Sequence, residues 1–545
     1  MSLYVTLKRF LEKQEKKVNR KTLKDLPHPF EMKNMERAVK TFLDCLNEGR
    51  KILVVGDYDA DGIMATTILI EAFNSIGLND LIDYYIPHRL RDGYGLSPDI
   101  INYAEENGFS AILTVDNGIS AIEAVKKAKE KGMIVVITDH HTPPKKLPEA
   151  DVIVNPKQEG ETFPFIDISG ATVAWYFIAG LKQLLELKEL NMKKFIDLVA
   201  ITIVSDVMPI KDINIPLLQE GLKKIKNRER YIYQLLWNNW SAPVLNETTI
   251  AFQLVPLINA IGRINNAKKG VELFLSKDKK TIESRLTEIK KINEARKNLS
   301  EKGLNIALQQ IREIEKKYGK SICGIGVAFI RHNDFHEGIV GIIAGKIAEK
   351  FNIPTYVFGW NKEKQIWKGS GRAGKSGIHL YDFTNSFHDL LEGFGGHKGA
   401  VGLAVKDENF EKMYEIAIQS IQRFPVEKIK QEHIFEISDL SEINSGIINL
   451  LKKYAPYGEQ KPCPEFIVEA FIRPPFKVLK EKHLKCMLEN KKRIESLFFN
   501  LTKDEKIKIN NVVSKNKETK IQFNLSENYD AYNNKFSFNL IAKLI

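Results

Sequence analysis

Short apolar runs punctuate the first third of the chain, and each is closed by a polar motif. Ile52-Leu53-Val54-Val55 leads into Gly56-Asp57-Tyr58-Asp59-Ala60-Asp61-Gly62, Ala111 to Val115 into Asp116-Asn117-Gly118, and Ile134 to Thr138 into Asp139-His140-His141. Runs that are continuous rather than alternating predict strands buried on both faces of a parallel sheet. Apolar residues at helical spacing predict helices over 63–76 and 121–131, with further strands over 81–86 and 152–154. This alternation predicts an α/β domain, a mostly parallel sheet covered on both faces. The apolar stretches 170–187 and 192–204 predict long buried helices, the second ending on Ser205-Asp206.

The rest of the chain changes pattern three times. Residues 1 to 50 read as an amphipathic helical segment punctuated by Pro27 and Pro29. Residues 277–318 are dense in Lys, Glu and Arg, with Ile282, Leu286, Ile289 and Ile292 at helical spacing, which predicts one long, solvated helix joining two domains. A basic stripe for nucleic acid is the sharper alternative there. A second α/β unit follows: a strand over 325–330, a helix over 338–350 with close-packing Gly341, Ala344, Gly345 and Ala348, and a strand over 354–359. Two glycine-rich loops come next, Gly369 to Gly374 and Gly393 to Gly399. Beyond about Phe424, alternating runs over 466–472, 484–488, 494–500 and 536–545 predict a small OB-type β-barrel. A chain of 545 residues is too long for one core. The expected division is a helical segment 1–50, a catalytic domain 51–276, a connecting helix 277–318, a substrate-binding domain 319–424 and a nucleic-acid-binding barrel 425–545.

Composition narrows the class. Lys and Arg number 81 against 69 Asp and Glu, a formal charge of +12 whose sign suits a polyanionic partner. Cys45, Cys323, Cys463 and Cys486 form no CxxC pair, which argues against a zinc ribbon or disulfide scaffold and for a reducing cytoplasm. No signal peptide and no membrane span are expected from the pattern.

Loops at one end of a parallel sheet converge, and ligands bind there. Taken singly, an aspartate after a strand is a turn residue or helix cap, and a histidine pair is a surface or core pair. Four such motifs in order predict a cluster of carboxylates and an imidazole. Crowded carboxylates repel unless a cation holds them, and hard oxygen ligands with one nitrogen suit Mn²⁺ or Mg²⁺. A two-metal site for attack on a phosphate ester is the expectation. Arg372, His397 and Lys398 in the glycine-rich loops are candidates to pair with phosphate.

The order of these motifs resembles the DHH phosphoesterase superfamily and, within it, the RecJ family of single-strand-specific exonucleases. The resemblance runs from about residue 27 to 545. It adds Pro87-His88-Arg89, Gly93-Tyr94-Gly95-Leu96, Ser205-Asp206-Val207-Met208-Pro209, Asn259-Ala260-Ile261-Gly262-Arg263 and His336-Glu337-Gly338-Ile339-Val340-Gly341. Ser370-Gly371-Arg372, Gly395-Gly396-His397, Tyr454-Ala455-Pro456-Tyr457-Gly458-Glu459 and His483-Leu484-Lys485 complete it. It implies a 5′-to-3′ exonuclease on single-stranded DNA in recombination and repair, with two Mn²⁺ or Mg²⁺ ions. By motif match, the metal ligands would be Asp57, Asp59, Asp116, His140 and Asp206, with Asp116 bridging. Asp116, His140, His141 and Asp61 would carry catalysis, His141 lying near the scissile phosphate. Ser370, Arg372 and Arg89 would hold the 5′-terminal phosphate, and Arg263 and His397 the backbone phosphates. The resemblance also implies a monomer that works with a helicase and a single-strand-binding protein.

The sequence departs from the pattern at one point. Many superfamily members carry a histidine four residues before the first motif aspartate, and RecJ-like proteins often carry one two residues before it. Those positions are Leu53 and Val55, which implies a first metal site with fewer protein ligands. Two other functions remain open at this stage: a small-substrate phosphodiesterase for oligoribonucleotides or cyclic dinucleotides, and an inactive single-strand-binding scaffold. The C-terminal barrel argues against the first, and the survival of every Asp and His in the four motifs against the second.

Overall fold

The structure is a computed structural model that describes residues 2–239, 245–426, 432–530 and 535–545. Three sheets organise it. The first contains β1 (Ile52–Val55), β2 (Ile82–Tyr85), β3 (Ala111–Val115), β4 (Ile134–Thr138) and β5 (Val152–Val154), in the order β2-β1-β3-β4-β5 with every pairing parallel. Alternation in β1 sends Ile52 and Val54 into a core shared with the helices Ala60–Ser75, Gly170–Leu184 and Ile196–Ser205. Leu53 and Val55 enter the opposite layer, packed with Ile100, Ile101, Val125 and Ile137 beneath helices Pro98–Glu106 and Ile122–Glu130. The two positions where the family pattern allows a histidine are therefore wholly buried in apolar packing.

The helix after β1 begins at Ala60, three residues before the apolar pattern indicates. Asp59 caps it, its Oδ1 accepting from the amides of Asp61 (2.9 Å) and Gly62 (3.1 Å). The 192–204 stretch divides into a 3₁₀ turn, Met192–Phe195, and the helix Ile196–Ser205.

The second sheet has the order β6-β7-β8-β10-β9, formed by β6 (Ala328–His332), β7 (Thr355–Asn361), β8 (Ile366–Arg372), β9 (Leu391–His397) and β10 (Ala400–Val405). Both segments expected as glycine-rich loops are strands here, joined antiparallel through β10. The glycines of β8 are small for packing reasons: a Cβ at Gly369 would lie 2.3 Å from the Phe358 ring, and one at Gly371 would lie 2.7 Å from Tyr356. The expected strand at 325 starts later, because Ile322–Ile325 is a helical turn ended by Gly326 at φ 90°.

The third sheet is the OB-type barrel. β12 (Glu465–Leu479), β13 (His483–Asn490), β14 (Lys492–Phe498), β16 (Lys535–Leu544) and β15 (Thr519–Asp530) pair in that order, and β12 pairs again with β15 to close it. A short strand, β11 (Ile434–Glu436), extends it along β12. The strand Thr519–Asp530 and the helix Lys503–Ser514 were not expected from the pattern.

Lys279–Tyr318 is one uninterrupted helix of 40 residues, with Ile282, Leu286, Ile289 and Ile292 buried along one side. It packs on helices Val255–Ile264 and Val340–Phe351 and reaches the barrel through a Glu301–Lys482 ion pair. The first fifty residues divide between domains. Leu7 and Leu11 of helix Leu3–Val18 enter the barrel core, whereas helix Met35–Asn47 packs on the first domain. Lys461, with no exposed surface, pairs with Glu15 of that first helix and donates to the Tyr454 carbonyl at 2.7 Å. Two residues away, the Glu459 carbonyl accepts the amide of Ile210 (2.9 Å), in the loop that follows Asp206.

Candidate metal centre and phosphate cleft

Every acidic motif lies at the carboxyl edge of the first sheet. Asp57 and Asp59 follow β1, Asp116 follows β3, and Asp139, His140 and His141 follow β4. Asp206 arrives at the end of helix Ile196–Ser205. Among the described residues, three sets of side chains place their ligand atoms within 4.8 Å of one another: Asp57 with Asp59 and Asp116; Asp116 with His140 and His141; and Asp61 with His140 and Asp206. Asp116 and His140 each belong to two sets, so the sets form one continuous cluster.

The backbone is bent to build it. Asp116 has φ 64° and Val207, beside Asp206, has φ 53°, both in the left-handed region that a β-branched residue such as valine rarely enters. Asn117 fixes the turn, donating from Nδ2 to the carbonyls of Val55 (2.9 Å) and Val115 (3.0 Å) and accepting the Leu96 amide at 3.0 Å. Asn259 accepts the Ala60 amide at 2.7 Å and ties the first motif to helix Val255–Ile264.

The donor set is arranged for a cation. His140 Nδ1 lies 2.9 Å from the Ile168 carbonyl, which can only accept, so Nδ1 carries the proton and Nε2 presents a lone pair. Nε2 is 3.1 Å from Asp116 Oδ1 and 3.6 Å from both Asp61 Oδ2 and Asp206 Oδ2. Yet His140 Nε2, Asp116 Oδ1 and Asp57 Oδ1 are all buried without a hydrogen-bond partner. Converging lone pairs with no proton between them suit a divalent metal with oxygen and imidazole ligands. The charges agree. Burial and the repulsion of neighbouring aspartates push Asp57, Asp116 and Asp206 far above the carboxylate range. Burial and the neighbouring His141 push His140 down to about 3, leaving it neutral as a ligand must be.

Asp61 stands apart from the other acids. Its two oxygens accept the amides of Gly170 (2.7 Å) and Ala171 (2.8 Å), the first turn of helix Gly170–Leu184. Burial and Asp59 raise its pKa to about 7. Asp139, a residue of the motif with no role assigned from sequence, is the organiser of the pair beside it. It accepts the amides of Ile119, His140 and His141 and the His141 Nδ1 proton at 2.8 Å. The surrounding protein alone would lower His141, but the Asp139 bond lifts it to about 9. Tyr94 was quoted in a motif without a role; its hydroxyl lies 3.3 Å from the His141 ring nitrogens.

The second domain carries the expected phosphate contacts Ser370, Arg372 and His397. Arg372 Nη1 donates to Ser370 Oγ and to the Gly371 carbonyl, each at 2.7 Å. Strand register aligns Arg372 with Ala400 and His397 across β8, β10 and β9. Helix Val340–Phe351 comes so close that a Cβ on Gly341 would be 2.9 Å from Arg372 Nη2 and 3.1 Å from Ser370 Oγ. From the first domain, the Arg89 guanidinium lies 4.8 Å over the Tyr58 ring, and Arg263 Nη1 donates to the Gly338 carbonyl at 3.2 Å. Two of these guanidinium groups are depressed. Burial, then Arg89, Arg372 and Arg296, bring Arg263 down to about 10, and burial with Arg89 lowers Arg372. His397 is lowered by burial and by Arg372, Lys157 and His141. Of the five expected phosphate contacts, Arg89 and Arg263 stand in the first domain and Ser370, Arg372 and His397 on β8 and β9 of the second, with Arg263 and Arg372 both against the segment that begins helix Val340–Phe351.

The comparisons with known proteins agree with this architecture. Residues 51–203 match the DHH family, N-terminal domain; residues 323–423 match the DHHA1 domain; residues 437–543 match the RecJ OB domain. The chain is 33% identical over 477 residues to the single-stranded-DNA-specific exonuclease RecJ of Bacillus subtilis, covering 86% of this chain and 58% of that protein. It is 32% identical over 477 residues to the protein of the same name from Escherichia coli, covering 84% of this chain and 82% of the other. Among solved structures, RecJ in complex with Mn²⁺ from Thermus thermophilus superposes with a TM-score of 0.75 at 24% identity, over 94% of this chain and 71% of that one.

Proposed function

This chain belongs to the RecJ family of single-stranded-DNA-specific exonucleases, and from that premise we propose that it shortens one DNA strand from the 5′ end in recombination and repair. It is a metal-dependent hydrolase of phosphodiester bonds in single-stranded DNA, and its cofactor is Mn²⁺ or Mg²⁺. The observation that carries the reading is the cluster of buried acids and His140 at the carboxyl edge of the first sheet, supported by Arg263 of the first domain and Arg372 of the second, which both lie against the segment that begins helix Val340–Phe351.

Asp57, Asp59 and Asp116 would hold one ion, and Asp116, His140 and Asp206 the other, with Asp116 shared. Bound there, the two ions supply an activated water and neutralise charge on the phosphate and leaving oxygen. Asp61 fixes the first motif against helix Gly170–Leu184, so the acids keep their spacing. Asp139 holds His141 by Nδ1, turning the remaining ring nitrogen toward the cleft, where it donates to a phosphate oxygen. Arg89, Ser370 and Arg372 bind the 5′-terminal phosphate, while Arg263 and His397 bind the next phosphates. Polarity follows from that arrangement. A terminal phosphate carries more charge than an internal one and docks against the densest cations, which leaves the adjacent phosphodiester over the acids. Specificity comes from strand shape and charge, not base identity. The protein acts in the cytoplasm as a monomer, and a helicase and a single-strand-binding protein that expose single strands are its functional partners.

The test is Mn²⁺-dependent digestion of a 3′-labelled single strand beside its duplex and an RNA of the same sequence. Progressive shortening of the single strand from its 5′ end is expected, with the duplex resistant. Cleavage confined to dinucleotides or short RNA would assign the protein to small-substrate hydrolysis, and inertness with every divalent metal would refute the reading.

A further inference from the structure

Asp206 reaches the metal cluster from a backbone that is fixed differently on its two sides. On the N-terminal side the helix Ile196–Ser205 holds it, through the Asp206 amide to the Thr202 carbonyl at 3.0 Å. On the C-terminal side the chain turns through Val207 at φ 53° and Asp212 at φ 47°. A non-glycine residue stays in that region only where its surroundings fix it. The anchors come from parts of the chain remote from the acidic motifs. The Val18 carbonyl, at the end of the first helix, accepts the Asp212 amide at 2.9 Å, and Asn19 Nδ2 donates to Asp212 Oδ2 at 2.5 Å. Asn214, wholly buried, donates from Nδ2 to the carbonyls of Pro209 (3.1 Å) and Asp167 (2.8 Å). From the barrel domain, the Glu459 carbonyl accepts the Ile210 amide at 2.9 Å, and a Cβ on Gly458 would lie 2.9 Å from Ile210 Cγ1.

The barrel loop 454–461 that supplies this last anchor is built to be stiff. Gly458 and Lys461 exchange backbone hydrogen bonds of 3.0 and 3.1 Å. Lys461, with no exposed surface, is held by Glu15 and by the Tyr454 carbonyl. The Tyr457 amide donates to Glu247 Oε1 at 3.1 Å, and the Ala455 carbonyl accepts Gln219 Nε2 at 3.1 Å. Gln219 belongs to helix Asn214–Lys226, the next helix after Asp206, so the loop grips both the bent segment and the helix that continues it. A lysine so deeply buried is costly unless it is fully paired. Here its pairing fixes a loop whose tip lies on Ile210, itself buried.

We propose that loop 454–461 of the barrel domain is a positioning element for Asp206. Its contact with Ile210 keeps residues 207–212 in the bent form that brings Asp206 Oδ2 to 3.6 Å from His140 Nε2. The barrel domain then completes one of the two ion sites, that of Asp116, His140 and Asp206, and leaves the site of Asp57, Asp59 and Asp116 to the first domain alone. This rests on the two-ion reading of the cluster and extends it. It makes the third domain part of the metal centre.

Titration of Mn²⁺ into the full chain without DNA, followed by the EPR signal of the free ion, reports both sites and needs no turnover. Wild type is expected to bind two ions, and Asp206→Ala to weaken one of them. Gly458→Ala drives a methyl group into Ile210 and is expected to weaken that same ion by about tenfold, with the other at its wild-type affinity. Ile210→Ala removes the atoms that the methyl meets, so Gly458→Ala should cost nothing further in that background. In EDTA the melting temperature of Gly458→Ala should stay within about 4 °C of wild type. Unchanged Mn²⁺ binding by Gly458→Ala would overturn the proposal, as would an equal loss in both backgrounds. Both sites weakened alike, or a larger fall in melting temperature with both sites intact, would mark a merely structural loop and overturn it too. A wild-type chain that takes up no Mn²⁺ would refute the metal reading and this proposal with it, whereas normal wild-type uptake beside an indifferent Gly458→Ala refutes this proposal alone.

Discussion

At the scale of single residues, the site is a set of acids made reactive by what surrounds them. Asp57, Asp116 and Asp206 sit where burial and mutual repulsion disfavour their charge, and His140 where burial keeps it neutral. Asp139 differs, since four donors converge on it and His141 depends on one of them. Asp139→Asn keeps the size and loses the anion that orients the imidazole. Such a change behind catalytic groups is expected to lower kcat by about 10–100-fold with little change in KM for single-stranded DNA; steady-state kinetics with Mn²⁺ decide it, and an unaltered kcat would contradict the role given to Asp139. The candidate ligands Asp57 and Asp116 were legible in the sequence because each closes an apolar run that ends in the sheet, and Asp206 because it ends an apolar helix. The partner of Asp61 was not. It is the start of a helix 109 residues further along, and nothing local to Asp61 encodes that contact.

At the scale of elements, the metal cluster rests on a helix end pressed against a strand end. A Cβ on Gly170 would lie 2.3 Å from Asp116 Oδ1 and 2.6 Å from its Cβ. Gly170→Ala is acceptable to a helix by propensity and should not unfold the protein, but it displaces Asp116. Activity should fall by roughly 10–100-fold and the Mn²⁺ concentration for half-maximal activity should rise; a metal titration with wild-type behaviour would show that Asp116 can move freely. The parallel strands were readable because burial on both faces leaves unbroken apolar runs. The strands β8 and β9 were misread as loops: the β8 glycines answer to aromatic rings on a neighbouring strand, and Gly396 of β9 to the backbone of Ala400 and Val401, not to turns. β15 escaped because Thr519–Asp530 is mostly polar and owes its place to pairing with both β12 and β16.

At the scale of the whole molecule, the unpartnered atoms of the cluster couple metal to stability. Ligand that binds only the folded state adds about 2.7 kcal/mol at a concentration near 100 times its Kd. Mn²⁺ should therefore raise the melting temperature of the wild type, and EDTA should reverse the gain. Asp116→Ala should lose that increment while being at least as stable as wild type in EDTA, because one repelling carboxylate is gone. Scanning calorimetry of both proteins with and without Mn²⁺ checks this, and an equal Mn²⁺ gain in the variant would remove Asp116 from the ligand set. Domain order was legible from changes of periodicity, but the docking between domains was not. The burial of Lys461 against Glu15 joins positions that no sequence pattern connects.

The helix Lys279–Tyr318 carries a mechanical consequence. Forty residues at about 1.5 Å each make a rod roughly 60 Å long. It has no proline, its Gly303 is locked against Ile343, and it is fastened to both cleft-forming domains and to the barrel. A cleft whose walls are bolted to one stiff beam has a fixed gauge. For a strand threaded between those domains the expected outcome is sorting by calibre, as a slot sorts wires, with the bending stiffness of a single helix as the tolerance.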